Sequence, residues 1–172
     1  MTPTDLDHLR RCIELAREAK ARGDEPFGSI LVGGDATVLA ERANRVVTDH
    51  DVTAHPEHWL ASWASQRLTP EERAGATMYT SGEHCAMCSA AHFWAGIGRL
   101  VFVMSGEQLA ARRRPDDPTL ALSSREVFAR GNRQIVVEGP ADDALVAEVL
   151  ALSRPEVSED STTPAKPAPT GF

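Results

Sequence analysis

Residues 79–88 read Tyr-Thr-Ser-Gly-Glu-His-Cys-Ala-Met-Cys. The side chains from residue 76 to residue 80 predict a strand. From Cys85 onward, small and aromatic side chains alternate up to Gly96, which predicts a closely packed helix that ends at the glycine. The sequence therefore places two thiols, Cys85 and Cys88, about one helical turn apart at a helix start that follows a strand.

A second polar motif lies upstream, where residues 53–58 read Thr-Ala-His-Pro-Glu-His. A catalytic zinc ion takes three protein ligands and leaves one position for water, and His55, Cys85 and Cys88 supply that number. A helix N-terminus favours thiolates over thiols. Glu57 cannot easily share the ion with His55 at this spacing, but its carboxylate can reach the water as a general base that later acts as an acid. Together the motifs predict a catalytic site with Zn²⁺ as its cofactor.

Other chemistry stays open for a Cys-x-x-Cys pair, which by itself is also typical of redox pairs and structural zinc sites. A structural site would need a fourth ligand, and His58, His84 and His92 are conceivable ones. His84 is the strongest of these alternatives because it adjoins Cys85, although a hydrogen bond near the site is the favoured role of its ring. A redox pair lacks its usual context, since a strand, a hairpin and the His-x-Glu motif come first.

Periodicity and turn residues predict an α/β sandwich with five strands and a largely parallel core, because strands alternate with helices after an initial hairpin. A polar loop is predicted at 44–51. The predicted helices are 5–23, 56–67, 85–95, 123–130 and 141–152, with a short turn or helix from 69, and the predicted strands are 26–32, 37–40, 76–80, 99–104 and 134–138.

The length of 172 residues suits one compact domain, with 42% hydrophobic and 25% charged residues as in a soluble globular protein. We expect this domain to span 1–152. Residues 153–172 are rich in Pro, Ser and Thr, so the tail is expected to be disordered or to pack on a neighbouring subunit. No apolar run is long enough for a bilayer and no signal peptide is visible, which predicts a cytoplasmic protein without membrane partners.

The charge balance argues against a nucleic-acid partner. Eighteen basic and 25 acidic residues give a net charge of −7, whereas tight nonspecific binding of a polyanion needs clustered Lys and Arg. The basic run at 112–114 is followed at once by Asp116 and Asp117, which indicates a solvated loop. The remaining cysteine, Cys12, lies on an apolar helix face and is expected to pack in the core.

With these motifs, the chain resembles the cytidine deaminase-like superfamily, whose pattern is H-x-E followed by P-C-x-x-C. The resemblance extends over about residues 5 to 150, and it is carried by the stretches 26–28, 53–57 and 83–88 and by Asn44. Within the superfamily the chain is most similar to the branch of bacterial guanine deaminases and tRNA adenosine deaminases. The resemblance implies a three-layer α/β/α sandwich with a five-stranded mixed sheet, a homodimer, and hydrolytic release of ammonia from an aminated heterocycle.

The resemblance also implies roles for individual residues. Glu57 matches the proton shuttle, and His55, Cys85 and Cys88 match the zinc ligands. The substrate contacts implied in the same way are Asn44, which would hold the polar edge of the ring, Phe27 as a pocket wall, Trp94 as an aromatic that follows the second cysteine, and Asp117 as a second acidic residue. For Phe27 and Trp94, plain core packing is an open alternative.

Two residues depart from the family pattern. His84 replaces the usual proline before the first cysteine and adds a titratable group beside the metal. Pro56 stands where relatives have a small residue whose backbone N–H bonds the substrate, and proline has no N–H. We therefore expect both positions to affect substrate binding, with Pro56 shifting preference away from rings such as cytosine.

The sequence predicts a zinc-dependent hydrolytic deaminase of a free nucleobase or related amino-heterocycle, such as a guanine-like purine or an aminotriazine. The first alternative is a tRNA adenosine-to-inosine deaminase. A non-catalytic zinc-binding module is a second alternative, against which Glu57 argues because a structural site does not need that carboxylate.

Overall fold

The computed structural model describes residues 1–112 and 119–153. The predicted position Asp117 and all of the predicted tail beyond Ser153 lie outside the described residues. The helices are α1 (Pro3–Ala21), α2 (Pro56–Arg67), α3 (Pro70–Gly75), α4 (Ala86–Ala95), α5 (Gly106–Ala110), α6 (Ser124–Ala129) and α7 (Asp143–Leu152). The strands are β1 (Gly28–Val32), β2 (Val38–Ala43), β3 (Thr77–Gly82), β4 (Arg99–Met104) and β5 (Val136–Glu138). None of the helices in the described ranges combines the length and apolar character needed to cross a membrane.

The five strands form one mixed sheet in the order β2-β1-β3-β4-β5. Strand β1 is antiparallel to both β2 and β3, and β3, β4 and β5 are parallel to one another. This confirms the expected mixed five-stranded sheet and limits its parallel part to three neighbouring strands. It follows that β2 and β3 run in the same direction on either side of β1, so their carboxyl ends lie at the same edge of the sheet.

Helices cover both faces of the sheet, which confirms the three-layer sandwich. On one face, α1 and α7 bury apolar side chains such as Leu9, Ile13 and Val146 against the sheet. On the other face, α2 and α4 pack against each other and against the sheet around Leu60 and Met78, while α6 packs next to α4. Strand β4 is buried on both faces, as expected for a strand with helices above and below it.

Most predicted elements are present with shifted ends. Helix α1 begins at Pro3 because Thr2 and Asp5 form a capping box, in which each side chain bonds the backbone N–H of the other residue. Helix α5 was not predicted from the sequence. It is a single short turn that begins after Ser105, whose hydroxyl accepts from the N–H of Gln108.

A buried ion pair joins α1 to the sheet far from the cysteines. The Asp5 carboxylate, in a residue that is 2% exposed, accepts hydrogen bonds from Arg99 at 2.8 and 3.0 Å and from the Tyr79 hydroxyl at 2.7 Å. Arg99 also pairs with Glu138 on β5 at 2.7 Å. The Arg99 guanidinium holds the pKa of Asp5 well below its usual range, despite burial.

We predict that Asp5→Asn lowers the free energy of unfolding by about 2–3 kcal/mol at pH 7, because it removes the charge that Arg99 bonds. The depressed pKa of Asp5 means that its contribution is present above the ordinary aspartate value of about 3.9 and is lost as the pH falls further. Urea unfolding at pH 7 and at lower pH should therefore show a difference between wild type and variant that shrinks on acidification. The exposed Asp7→Asn is the matched control, and an equal effect of both variants would contradict this assignment.

Candidate functional site

The candidate metal ligands lie at the starts of two neighbouring helices. His55 is the N-cap residue of α2, Cys85 is the N-cap residue of α4, and Cys88 is in the first turn of α4. Pro56 occupies the first position of α2, where its missing N–H costs nothing. Because a residue before proline is disfavoured in the helical region, Pro56 also holds His55 in the extended conformation seen here, with φ −74° and ψ 139°.

The three ligand atoms have the spacing of a metal site. The Nδ1 atom of His55 lies 3.8 Å from the Sγ atom of Cys85 and 3.6 Å from that of Cys88. Zn–S distances of about 2.3 Å and Zn–N distances of about 2.0 Å give a tetrahedral S···N edge of about 3.5 Å. All three atoms lie within 4.8 Å of one another, so the set fits one zinc ion.

The surroundings of the sulfur atoms favour a thiolate at Cys85. Hydrogen bonds from Cys88 and His55 lower the pKa of Cys85 to about 4, and the same bond to Cys85 raises the pKa of His55. The neighbouring Cys85 sulfur and burial raise the pKa of Cys88. Such charge stabilisation at Cys85 is what a thiolate-metal site requires.

Glu57 is buried beside the ligand set. The residue is 5% exposed, its Oε2 atom lies 3.8 Å from the Cys88 sulfur, and its Oε1 atom accepts from the Thr80 hydroxyl at 3.2 Å. Thr80 in turn accepts from the Ser29 hydroxyl at 2.9 Å. Among residues 1–112 and 119–153 no Lys or Arg pairs with Glu57, and burial raises its pKa. A carboxylate of this kind is suited to proton transfer.

A fourth protein ligand is absent from the described part of the chain. His55, Cys85 and Cys88 are the only group of three or more candidate ligands in it. His84 and His92 bond each other instead, with 3.2 Å between Nε2 of His84 and Nδ1 of His92. The geometry therefore supports a three-ligand site with an open position over a closed structural site.

Asn44 lies at the end of β2 and is fully buried. Its side-chain oxygen accepts from the N–H of Val46 at 2.9 Å, whereas its Nδ2 atom has no partner among the described residues. The backbone N–H of the next residue, Arg45, donates to the carbonyl of Ala54, which precedes His55. This hydrogen bond joins the Asn44 loop to the metal-binding motif. An unpaired buried donor at this place suits contact with a ligand.

The carboxylate of Asp24 holds the loop that follows Asn44. It accepts hydrogen bonds from the backbone N–H groups of Val47 and Thr48 at 3.0 and 2.8 Å and from the Thr48 hydroxyl at 2.7 Å. Asp24 was not predicted from the sequence as a site residue. In a sequence, an aspartate shortly before a strand gives only a weak indication that it binds a polar loop further along the chain.

Glu83 is a second supporting residue that sequence reasoning missed. Its carboxylate accepts from the N–H of Gly106 at 2.9 Å and from the N–H and hydroxyl of Ser124 at 3.0 and 2.6 Å. It therefore ties the segment that carries Cys85 to the starts of α5 and α6. These partners are 23 and 41 residues away in sequence, so no local pattern could have revealed them.

The remaining predicted substrate contacts stay predictions. Phe27 is half-buried and its ring lies over Gly82, where a Cβ atom would come within 3.0 Å of it. Trp94 is 79% exposed on the outer side of α4, with its ring edge-to-face on Phe93, so it is not part of the core. His84 and Pro56 are buried next to the ligands Cys85 and His55, and Asp117 lies outside the described residues.

Residues 2–104 match the family model described as the cytidine and deoxycytidylate deaminase zinc-binding region. The chain is 35% identical over 150 residues to a probable cytosine deaminase of Schizosaccharomyces pombe, which covers 85% of this chain and 91% of the relative. It is 38% identical over 88 residues to a guanine deaminase of Bacillus subtilis, covering 51% of this chain and 56% of the relative.

A solved structure from a study of tRNA:A34 deaminases is also similar. It superposes with a TM-score of 0.64 at 26% identity, and the match covers 86% of this chain and 99% of that chain. The relatives named here thus differ in substrate: cytosine for the probable cytosine deaminase, guanine for the guanine deaminase, and A34 of tRNA for the tRNA:A34 deaminases.

We predict one zinc ion per chain in the purified protein. Cys88→Ala should lose nearly all of it, because two remaining ligands hold the ion far more weakly than three. Elemental analysis of gel-filtered protein measures the content. The control is Cys12→Ala, which removes a fully buried thiol from the core rather than from the ligand set. Zinc retained in Cys88→Ala at the wild-type level would contradict the site.

Proposed function

Since the chain belongs to the zinc-binding cytidine and deoxycytidylate deaminase family, we propose that it is a hydrolytic deaminase of a free nucleobase or related amino-heterocycle. The observation that carries this proposal is the buried carboxylate of Glu57 beside a three-ligand set with an open position. A structural zinc site needs neither feature. The net reaction replaces the amine of the ring with an oxygen from water and releases ammonia.

The residues of the site have distinct roles in this reaction. His55, Cys85 and Cys88 would hold the zinc ion, which when bound lowers the pKa of water so that it can attack near neutral pH. The Glu57 carboxylate takes a proton from the attacking water, passes it to the ring nitrogen, and moves a second proton to the leaving amine. Burial raises the pKa of Glu57, which helps the carboxyl group to hold a proton between these steps. The Thr80 hydroxyl orients the carboxylate through Oε1.

The charges around the site favour a small substrate over tRNA. Arginines beside the Asn44 loop are paired with acidic side chains: Arg45 with Asp49 at 2.6 Å and Arg22 with Asp24 at 3.5 Å. Paired cations contribute little to a phosphate-binding surface, and the net charge of the chain is −7. The similarity to a tRNA:A34 deaminase keeps tRNA as the alternative substrate.

We propose a class of substrate ring rather than one compound: a guanine-like purine or an aminotriazine. Pro56 supports a preference away from cytosine, because it offers no backbone N–H at the start of α2. The named cytosine deaminase relative points the other way, so cytosine must be among the tested substrates. A Pro56→Ala variant with an unchanged substrate profile would contradict the role given to proline.

An ammonia-release screen over purines, pyrimidines and aminotriazines tests the proposal directly. We expect release from at least one free base, and no gel shift with tRNA at moderate salt. Inosine formed in tRNA, with no release from any free base, would overturn the proposal in favour of the tRNA alternative. No release from either class would favour a non-catalytic zinc module.

We predict that Glu57→Gln lowers the deamination rate at least about 100-fold while zinc content is unchanged, because the amide cannot move the protons. The measurement is ammonia release under saturating substrate, paired with elemental analysis. Glu71→Gln, an exposed change on α3, is the matched control. Activity in Glu57→Gln equal to that of the control would exclude Glu57 as the proton carrier.

A homodimer is also part of the proposal, with α2 and α4 at the interface. The exposed Trp94 ring borders a surface groove of about 220 Å³ that is lined by small residues such as Ala61, Ser62 and Ser65. A large exposed aromatic residue next to such a groove is typical of an interface.

We expect light scattering to give twice the mass of one chain, and Trp94→Ser to shift the protein towards the monomer because it removes the aromatic contact. Val136→Thr changes an exposed apolar residue on β5 and should leave the mass unchanged. A wild-type protein that stays monomeric at high micromolar concentration would refute the interface.

A further inference from the structure

Two buried side-chain atoms lack a hydrogen-bond partner in the described ranges: Nδ2 of Asn44 and Nδ1 of His84. Buried polar atoms are nearly always paired, and leaving one unpaired costs about 1–3 kcal/mol. Asn44 follows β2, and His84 follows β3 and directly precedes the ligand Cys85. The Asn44 loop is hydrogen-bonded through Arg45 to Ala54, which precedes His55, so each residue lies on a segment next to a candidate metal ligand. One unpaired atom is a donor and the other is a ring nitrogen.

The topology places both residues at one edge of the sheet. Strands β2 and β3 run in the same direction with β1 between them, so their carboxyl ends lie at the same edge. Two strand spacings correspond to about 10 Å. Segments that follow strands at this separation can both contact one heterocycle bound at this edge of the sheet.

Hydrogen bonds on the inner side of His84 determine which of its nitrogens carries the proton. The carbonyl of Ile97 can only accept, so Nε2 of His92 donates to it across 3.1 Å. A neutral His92 then accepts at Nδ1 from Nε2–H of His84, 3.2 Å away. This leaves Nδ1 of His84 as an acceptor with a free lone pair. Burial favours the neutral ring of His92, since it lowers the pKa of His92 to about 4.

We propose that His84 is a specificity-determining residue that accepts a hydrogen bond from a ring N–H of the substrate through Nδ1. The inference rests on the proposed function and narrows its substrate class. A matching ligand offers an acceptor to Nδ2 of Asn44 and, to His84, the ring N–H that is lost when a sugar is attached, not the N1–H that guanine keeps in a nucleoside. Free nucleobases carry such an N–H at the nitrogen that bears the sugar in a nucleoside. Adenosine and cytidine have none, so an RNA nucleotide of this kind cannot satisfy His84.

Two variants distinguish the role of Nδ1 of His84 from that of Nε2. The amide of Gln reaches approximately the place of Nε2, so His84→Gln keeps a contact with His92 and removes the acceptor at Nδ1. The shorter Asn places its amide near Nδ1, so His84→Asn keeps an acceptor there and loses the contact with His92. Zinc content of each variant shows that the metal site is intact.

Binding of matched ligand pairs is the measurement. The pairs are adenine with 9-methyladenine, guanine with 9-methylguanine, and cytosine with 1-methylcytosine, titrated by calorimetry into zinc-loaded protein that carries Glu57→Gln to prevent turnover. In protein that carries His84, at least one of the three free bases should bind, and we expect it to bind about tenfold more tightly than its methyl derivative. This ratio should fall by about tenfold in His84→Gln and largely persist in His84→Asn.

An affinity ratio of free base to methyl derivative near one in protein with His84 would overturn the role of His84, and so would an unchanged ratio in His84→Gln. In either case Nδ1 of His84 would make no contact with the ligand. These results are distinct from failure of the proposed function. The proposed function would fail if protein that carries both Glu57 and His84 released no ammonia from any base.

Discussion

The contact between α2 and α4 on one face of the sheet is the constraint on which the site depends. Each helix starts at a ligand, so packing the helices side by side brings an imidazole and two sulfur atoms to the spacing of one zinc ion. Small residues of both helices, including Ala61, Ala64 and Ala95, are buried where the helices approach. Larger side chains there would separate the helices and so His55 from the cysteines.

Polar groups buried around this contact give the site its chemistry. Glu57, Asn44 and His84 are all buried, and each has a charge or an unpaired atom that would be more stable in water. Their positions are held by partners from elsewhere in the fold: Thr80 for Glu57, and His92 for His84. Such preorganised polar atoms are costly for folding and useful for binding a polar ring.

Local patterns were sufficient to predict much of this arrangement. Helix α2 and strand β4 have the predicted ends, and Gly96 ends α4 in the left-handed conformation that glycine favours. The ligand set followed from residue type and spacing. Glu83 and Asp24 could not be predicted, because their partners are distant in sequence. The unpaired nitrogen of His84 was equally hidden, since it depends on a hydrogen bond between residues eight positions apart on a loop and a helix.

X-ray absorption at the zinc edge directly measures whether three side chains hold a zinc ion and leave one position open. We expect two sulfur atoms at about 2.3 Å and two lighter atoms at about 2.0–2.1 Å, of which only one belongs to an imidazole. A tight-binding ligand should replace or shift the light atom that is not part of the imidazole, and it should leave the two zinc–sulfur distances unchanged. Two imidazoles or a third sulfur, with no change on ligand binding, would show a closed structural site and contradict a catalytic zinc ion with an open position.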